Sequence, residues 1–312
     1  MGIRDQVVDY LEYWQSLTGI SLRQLVRHLG IHRSKFYQWR ERKGIETKHN
    51  GQVPRDFWIT EEEKRAVIDF YRKNKSEGYC AATYMMIDQD IAYMSSSSVY
   101  RILANSGLIR TKNSNSSKKG SGFEQPLHIH EHWHTDISYL KIDKRFYFFF
   151  GVLDGCSRAI LHWEIRENMT EQDVEVVLQR AVEKHPEAKP RLITDNGSQY
   201  TAQEFKKFVA QHGLTHVRTA CYYPQSNGKM ERFHHTLKSE GIKPSSPLNV
   251  DDARRITEKY VDYYNNERLH SAIVFVAPMD KLKGRDAAIF EERKEKLKTA
   301  RKKRLEQFAK TG

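Results

Sequence analysis

"HWHTDISYLKIDKRFYFFFGVLDGCSRAILHWEI", His132 to Ile165, decides how the chain folds. Its apolar residues alternate or run in short pieces, broken at Asp143-Lys144-Arg145 and again at Asp154 to Arg158. That rhythm predicts three antiparallel strands joined by hairpins. The period then lengthens. Val174, Val177, Leu178, Ala181 and Val182 recur at helical spacing inside Thr170 to His185. After it come a strand "PRLIT" ending at Asp195, a helix "AQEFKKFVAQHG" and a short strand "LTHVRT". A last helix, "SNGKMERFHHTLKSEG", begins at a cap supplied by Ser226 or Asn227.

The order β-β-β-α-β-α-β-α is that of an α/β RNase H-like core, a mixed five-stranded sheet with helices. On such a sheet three carboxylates stand out. Asp136 lies inside the first strand, between Trp133 on one side and Ile137 and Tyr139 on the other, and Asp195 ends the fourth strand. Glu231 sits on the last helix, where Met230, Phe233 and Leu237 are spaced to face the core. That turns Glu231, His235 and Lys238 onto another face, looking across the sheet. Three hard oxygen donors converging there suit magnesium or manganese, and a pair of such ions can clamp both oxygens of a phosphoryl transfer. Gly197, two residues past Asp195, leaves room for a close approach. Asp143 and Asp154 are rival acids, but both fall in expected hairpin turns, where Asp is favoured for local hydrogen bonding.

"HTDISYL", "ITDNGSQY" and "PQSNGKMERFHHTLK" resemble the three acidic motifs of DDE transposases and retroviral integrases, the bacterial insertion-sequence transposases above all. Between Asp195 and Glu231 lie 35 residues, the spacing of the DD(35)E group. "YYNNERLHSAI" (Tyr263 to Ile273) followed by Pro278 resembles the end of that group's catalytic core, so the likeness runs roughly from Phe57 to Leu282. The resemblance implies a triad of Asp136, Asp195 and Glu231, acting as catalytic and metal-ligating residues with two Mg2+ or Mn2+ ions per site. It implies strand cleavage and strand transfer on double-stranded DNA, at element terminal inverted repeats and at a target. It also implies a homo-oligomer, at least a dimer on paired ends. Two features depart from the pattern. The His2Cys2 zinc module of retroviral integrases has no counterpart in the spacing, and no sustained heptad offers a dimerising zipper. The rival functions are an RNase H-type nuclease that cuts without joining and a domesticated DNA-binding regulator with an inactive core.

The amino-terminal third reads as all-α helix-turn-helix DNA-binding domains. "TGISLRQLVRHLGIHRSKFYQWRERKG" (Thr18 to Gly44) gives two helices around a turn at Gly30, the first opened by a Ser21/Gln24 capping box and carrying Leu22, Leu25, Val26 and Leu29 inward. The second buries Phe36 and Trp39 and offers Arg33, Lys35, Tyr37, Arg40, Arg42 and Lys43 to a major groove. A second unit opens at a Thr60/Glu63 capping box and closes with "SSSSVYRILANSGLI", whose outward base is Arg101. In the core, Asn227, Lys229, His235 and Lys238 complete the candidate DNA contacts. The boundaries follow: a helix-turn-helix at 1–50, a second at 55–110, a Ser/Gly-rich tether at 111–127, the core at 128–283 and a basic helical tail at 284–312.

Charge agrees with a polyanion partner. The 312 residues hold 52 basic and 40 acidic side chains, a net +12. Lys281 to Lys310 alone holds 12 basic and 5 acidic residues on a thin apolar stripe, so a duplex or a partner subunit is expected to order it. The three cysteines, Cys80, Cys156 and Cys221, lack any paired spacing and fit a reducing bacterial cytoplasm, with Cys156 and Cys221 read as buried thiols. No apolar run is long enough for a membrane span, and the first residues lack a signal-peptide core. His128, His130, His132 and His134 alternate along "HIHEHWH" and are expected to be solvated or to face DNA rather than to chelate a metal.

Overall fold

The alternation of His132–Ile165 becomes a meander in the computed structural model, which describes residues 3–45, 58–109, 125–218 and 227–311. Strand β1 (His132–Ile142) pairs antiparallel with β2 (Arg145–Asp154), and β2 with β3 (Ile160–Arg166). Asp143 and Lys144 turn the first hairpin with φ of 41° and 66°. Two left-handed residues make the tight turn whose twist matches the flanking strands. Two more strands, β4 (Arg191–Thr194) and β5 (Thr215–Arg218), join parallel, giving the order β3-β2-β1-β4-β5. This is the mixed five-stranded sheet the sequence predicts.

The chain divides into two units, residues 1–55 with 305–312, and residues 56–304. In the first, α1 (Ile3–Thr18), α2 (Leu22–His28) and α3 (Arg33–Glu41) close on Val8, Leu11, Leu22, Val26 and Phe36. The turn at Gly30 has φ 67°, which a residue with a side chain adopts poorly. Helix α1 was not anticipated. Leu29, expected inward, is 49% exposed, and Ser21 bonds the Gln24 side chain (2.9 Å) instead of capping the backbone.

In the second unit, α4 (Glu61–Lys73), α5 (Gly78–Asp88) and α6 (Ser96–Asn105) share a core of Val67, Met86, Val99 and Leu103. The Thr60/Glu63 capping box forms in full. The sheet follows, flanked on one face by α7 (Glu171–Lys184), α8 (Ser198–Thr201) and α9 (Gln203–Gln211), which pack on Trp133, Phe150, Val152 and Leu192. The other face carries α10 (Gly228–Thr236), a π-helical turn Leu237–Ile242, α11 (Lys243–Ser245) and α12 (Val250–Asn266), packed on Leu140, Phe149, Leu153 and Ile165. Gly151 lets α10 come close, since a Cβ there would meet Phe149 Cε1 at 2.9 Å and Met230 Cε at 3.1 Å.

After α13 (Pro278–Leu282), the basic tail forms α14 (Asp286–Thr311). Acids of the chain itself pair with this helix, contacts that its thin apolar stripe did not suggest. Arg293, 5% exposed, donates to both oxygens of Asp88 (2.7 and 2.6 Å) and to Phe275 O, and its guanidinium lies 4.8 Å from the Tyr84 ring centre. Arg304, also 5% exposed, grips Glu63 and Tyr93 O, while Lys296 reaches Asp90 at 2.8 Å. Tyr84 stacks on Phe275 (4.9 Å, 16°), and Tyr263 donates to Glu77 (3.1 Å). Residues 58–109 are thereby fastened to the core. Residues 46–57, between the two helical units, and almost all of the expected tether lie outside the described residues. Arg293→Met should lower stability by about 2–3 kcal/mol, the worth of its lost charged hydrogen bonds. Lys294→Met on the exposed side should cost under roughly 0.5 kcal/mol. Equal shifts of the urea midpoint for the two variants would show that Arg293 does not hold the tail.

Candidate active site

Register brings two of the three carboxylates together. In the parallel β1–β4 pair, His132 faces Arg191, Trp133 faces Leu192 and His134 faces Ile193. Two residues further the same offset sets Asp136 beside Asp195, where β4 has just ended and β1 runs on. Neighbouring strands lie about 4.8 Å apart, and residues in register point to one face. Here it is the face covered by α10. The chain leaves β1 toward β2 on one side and β4 toward β5 on the other, so the carboxylates sit at the topological switch point, where open α/β sheets bind ligands.

Each acid is held by its own turn. Asp136 accepts from the Ile137 amide at 2.9 Å and faces His234 Nδ1 at 3.5 Å. Asp195 accepts from the Gly197 amide at 3.0 Å, and a Cβ on Gly197 would stand 3.1 Å from that same oxygen. The glycine in "TDNGS" therefore leaves the carboxylate room that a side chain would crowd. Tyr200, buried on α8, bonds Thr135 Oγ1 at 3.5 Å. Burial pushes its hydroxyl pKa well up, and the charges of both Asp136 and Asp195 add to the shift.

Helix α10 brings Glu231 to this face. Met230, Phe233 and Leu237 are buried, as the spacing predicts. Glu231 is exposed and lies one helical turn from His234, four residues from Asn227 and seven from Lys238. Three contacts lock the helix on β1: Asn227 Nδ2 donates to Thr135 O (3.2 Å), Lys229 Nζ to His134 Nε2 (3.2 Å), and His234 meets Asp136. Burial is the main cause that takes His134 down to about 2 and Lys229 down to about 8. Lys238 is lowered by burial too, with Asp136 opposing the shift.

The donor set fits a hard divalent cation in chemistry: three carboxylates, two from adjacent strands and one from the helix over them. Among the described residues, however, no three such side chains stand close enough to share an ion. Asp136 and Asp195 spend oxygens on backbone amides, so gathering them on a metal requires their side chains to turn.

Other expected site residues behave differently. Asn227 is 5% exposed and anchors the helix to the strand, so it has no surface for DNA; Ser226, the alternative cap, lies outside the described residues. His235 is exposed. Arg101 is exposed on α6, with Nε on Ser97 O. In the first unit, Arg40 and Lys43 are paired with Glu12 of α1, which uses their charge to hold α3. Arg33, Lys35 and Arg42 stay exposed, with Arg33 over the half-buried Tyr37 ring and Lys35 over Trp39. Of the alternate histidines only His128 is exposed as expected: His132 and His134 are buried in β1, and His130 sits half-buried in a turn at φ 60° with its amide on Asp154. Asp154 is buried and also accepts from Ser157, the local turn role expected of it. Cys156 is only half-buried, and Cys221 lies outside the described residues. His234 was missed. Its only signal was a second histidine one helical turn past Glu231.

Residues 127–224 and 212–278 match two family models, each described as an integrase core domain. The transposase for insertion sequence element IS904 of Lactococcus lactis subsp. lactis (strain IL1403) is 28% identical over 182 residues, 55% of this chain and 72% of that protein. The putative transposase InsD for insertion element IS2E of Escherichia coli (strain K12) is 33% identical over 140 residues, 43% of this chain and 64% of that protein, so less than two thirds of its length is covered. Among solved structures, a chain of the simian T-cell lymphotropic virus intasome aligns over 69% of this chain and 73% of its own, at 17% identity and a TM-score of 0.45. Among the described residues no helix is long and apolar enough to cross a membrane. Over residues 127–278 the chain therefore matches integrase core domains, and the curated proteins it is similar to are transposases of insertion sequences.

Proposed function

We propose that the chain binds the terminal inverted repeats of an insertion sequence and catalyses cleavage and strand transfer at their ends. The observation that carries this is the parallel β1–β4 register, His132 to Arg191 through His134 to Ile193, which carried on two residues aligns Asp136 with Asp195 on the face that the Glu231-bearing helix covers. These three side chains would hold Mg2+ or Mn2+. A divalent ion bound there supplies charge neutralisation and polarisation at a phosphodiester. In cleavage, water attacks phosphorus and the 3′ oxygen leaves. In joining, the freed 3′ hydroxyl attacks a target phosphodiester, so each step forms one P–O bond and breaks one. Lys238, beside Asp136, and Lys229 and His235 on the same helix orient phosphate oxygens. Positioning and charge carry the catalysis, with no covalent protein intermediate.

A cysteine probe tests the assignment. A thiolate is softer than a carboxylate and binds manganese more readily than magnesium. Asp136→Cys should lose cleavage in magnesium and recover part of it in manganese, with DNA binding intact. Asp143→Cys, in the hairpin turn, should cut normally with either ion. Full magnesium activity in Asp136→Cys would remove Asp136 from the site. A nuclease without joining would cut ends yet fail to join pre-cleaved ends to a target.

Reading of the ends falls to the exposed bases of α3. Arg33→Ala should weaken binding to element ends by about 1–3 kcal/mol and relax their sequence preference. Arg40→Ala, whose guanidinium is engaged by Glu12, should lower stability more than specificity. Anisotropy that shows unchanged affinity and preference for Arg33→Ala would exclude this helix as the reader.

Two ends must meet one target, so the active form holds at least two chains. Light scattering of the complex with paired ends should give that stoichiometry. One chain per end pair would overturn it.

A further inference from the structure

Behind Glu231 lies a cavity of about 1590 Å³, of which the roles above use only Glu231, Lys229 and His235 along α10. One wall is Ser76, Glu77 and Ala81 from the helices of residues 58–109, and the other is α10, α12 and the loop after it. Four cations come to it from three separate places: Arg158 from the β2–β3 turn, Lys229 and Arg232 from α10, and Arg268 from beyond α12. The volume exceeds the roughly 300–1,000 Å³ of small-molecule pockets, so a chain suits it better than a compact ligand.

The local acids do not neutralise this group. Arg268 is matched by Glu240 at 3.1 Å, and Glu77 is taken by the Tyr263 hydroxyl at 3.1 Å. Among the described residues Arg158 donates to Gln125 Oε1 at 3.3 Å and makes no ion pair; its Nε is buried without a hydrogen-bond partner, and Asp154 acts on it only through its charge. Arg232 makes no ion pair among the described residues. The crowding is felt by neighbours. His270, 9% exposed, is lowered to about 4 by burial first and then by Arg158, Arg268 and Arg232. An arginine cannot shed its proton to relieve such a position, so a bound anion is what would offset the repulsion. Low-dielectric walls, here Tyr260, Tyr264 and Phe275, concentrate the field on whatever enters.

The geometry points to this cavity as a second DNA site, in which Arg158, Arg232 and Lys229 hold the phosphodiester backbone of a strand that continues past the scissile phosphate. It rests on the proposed activity in one respect: Glu231 lines the cavity and also shares a helical face with His234 and Lys238, so one strand can pass from the carboxylates into the cavity.

The test uses the full chain and the salt dependence of its DNA binding, followed by anisotropy with a labelled oligothymidylate and with a blunt duplex. Arg158→Gln/Arg232→Gln should flatten the log–log slope by roughly 1.4 if the occupant is single-stranded, or roughly 1.8 if it is duplex, at about 0.7 or 0.9 for each lost phosphate contact. Whichever probe shows the loss names the occupant. Lys206→Gln/Lys207→Gln removes the same charge from α9 on the opposite face and should leave both slopes unchanged. Unchanged slopes in the arginine pair, or an equal loss in the lysine pair, would overturn the site. Circular dichroism of the arginine pair must match the parent chain, and Arg232→Gln alone, on an exposed helix position, should still lose about half the effect. Failure of the catalytic reading shows separately, as loss of metal-dependent cleavage with these slopes intact.

Discussion

The parallel register of β1 against β4 is the constraint on which the site depends. A slip of one residue would send Asp195 to the face packed by α7 and α9, among Trp133, Phe150 and Leu192. A charge there would have neither water nor a partner, so the core itself enforces the register. Trp133 and Leu192 point into that core as neighbours, while His134 and Ile193 point to the other side. The ends of the pair are clamped as well: the Arg191 amide donates to Glu131 O at 2.9 Å, and the Thr215 amide to Pro190 O at 3.3 Å. Two carboxylates are thus set side by side by apolar packing on the far side of the sheet.

The third acid depends on a different kind of force. Helix α10 meets the sheet through Met230, Phe233 and Leu237, but apolar contacts alone permit sliding. Asn227 on Thr135 O, Lys229 on His134 and His234 on Asp136 fix its rotation and its height, each a polar contact at a buried point where a lost partner is costly. Gly151, directly opposite Asp136 in the β1–β2 ladder, removes the side chain that would hold the helix away. The π-helical turn Leu237–Ile242 then carries Lys238 past Asp136 and brings Glu240 to Tyr260 and Arg268. The contacts that dock the helix are therefore also the ones that set the candidate site's geometry.

What was legible in the sequence was whatever local period or spacing encodes. The alternation of His132–Ile165, the helical stripe of Val174 to Val182 and the Thr60/Glu63 box all become the elements they predict. The turn roles of Asp143 and Asp154 also hold, because a turn aspartate answers to backbone a few residues away. Residues whose role depends on a distant partner were misread. His132 and His134 looked solvent-facing by alternation, yet the sheet face they share is roofed by a helix nearly a hundred positions later. Asn227 looked like a cap or a DNA contact because no local feature reveals Thr135 beneath it. His234 carried no pattern at all.

Charge shows the same limit from the other side. The densest basic run in the sequence, the tail, spends its central cations on the protein: Arg293 on Asp88, Lys296 on Asp90 and Arg304 on Glu63. Arginine suits this use, since its planar fork can satisfy both carboxylate oxygens while its stem packs against apolar surface. The cations left with little or no acidic compensation are isolated in sequence. Arg158 stands in a hairpin turn, Arg232 beside the candidate catalytic glutamate, and only folding brings them to one wall. A run of like charges must find counter-charges if the chain is to stay folded, and a helix that packs will find them on its own protein. Scattered cations that the fold then gathers, at an energetic cost, are the better guide to where a polyanion binds.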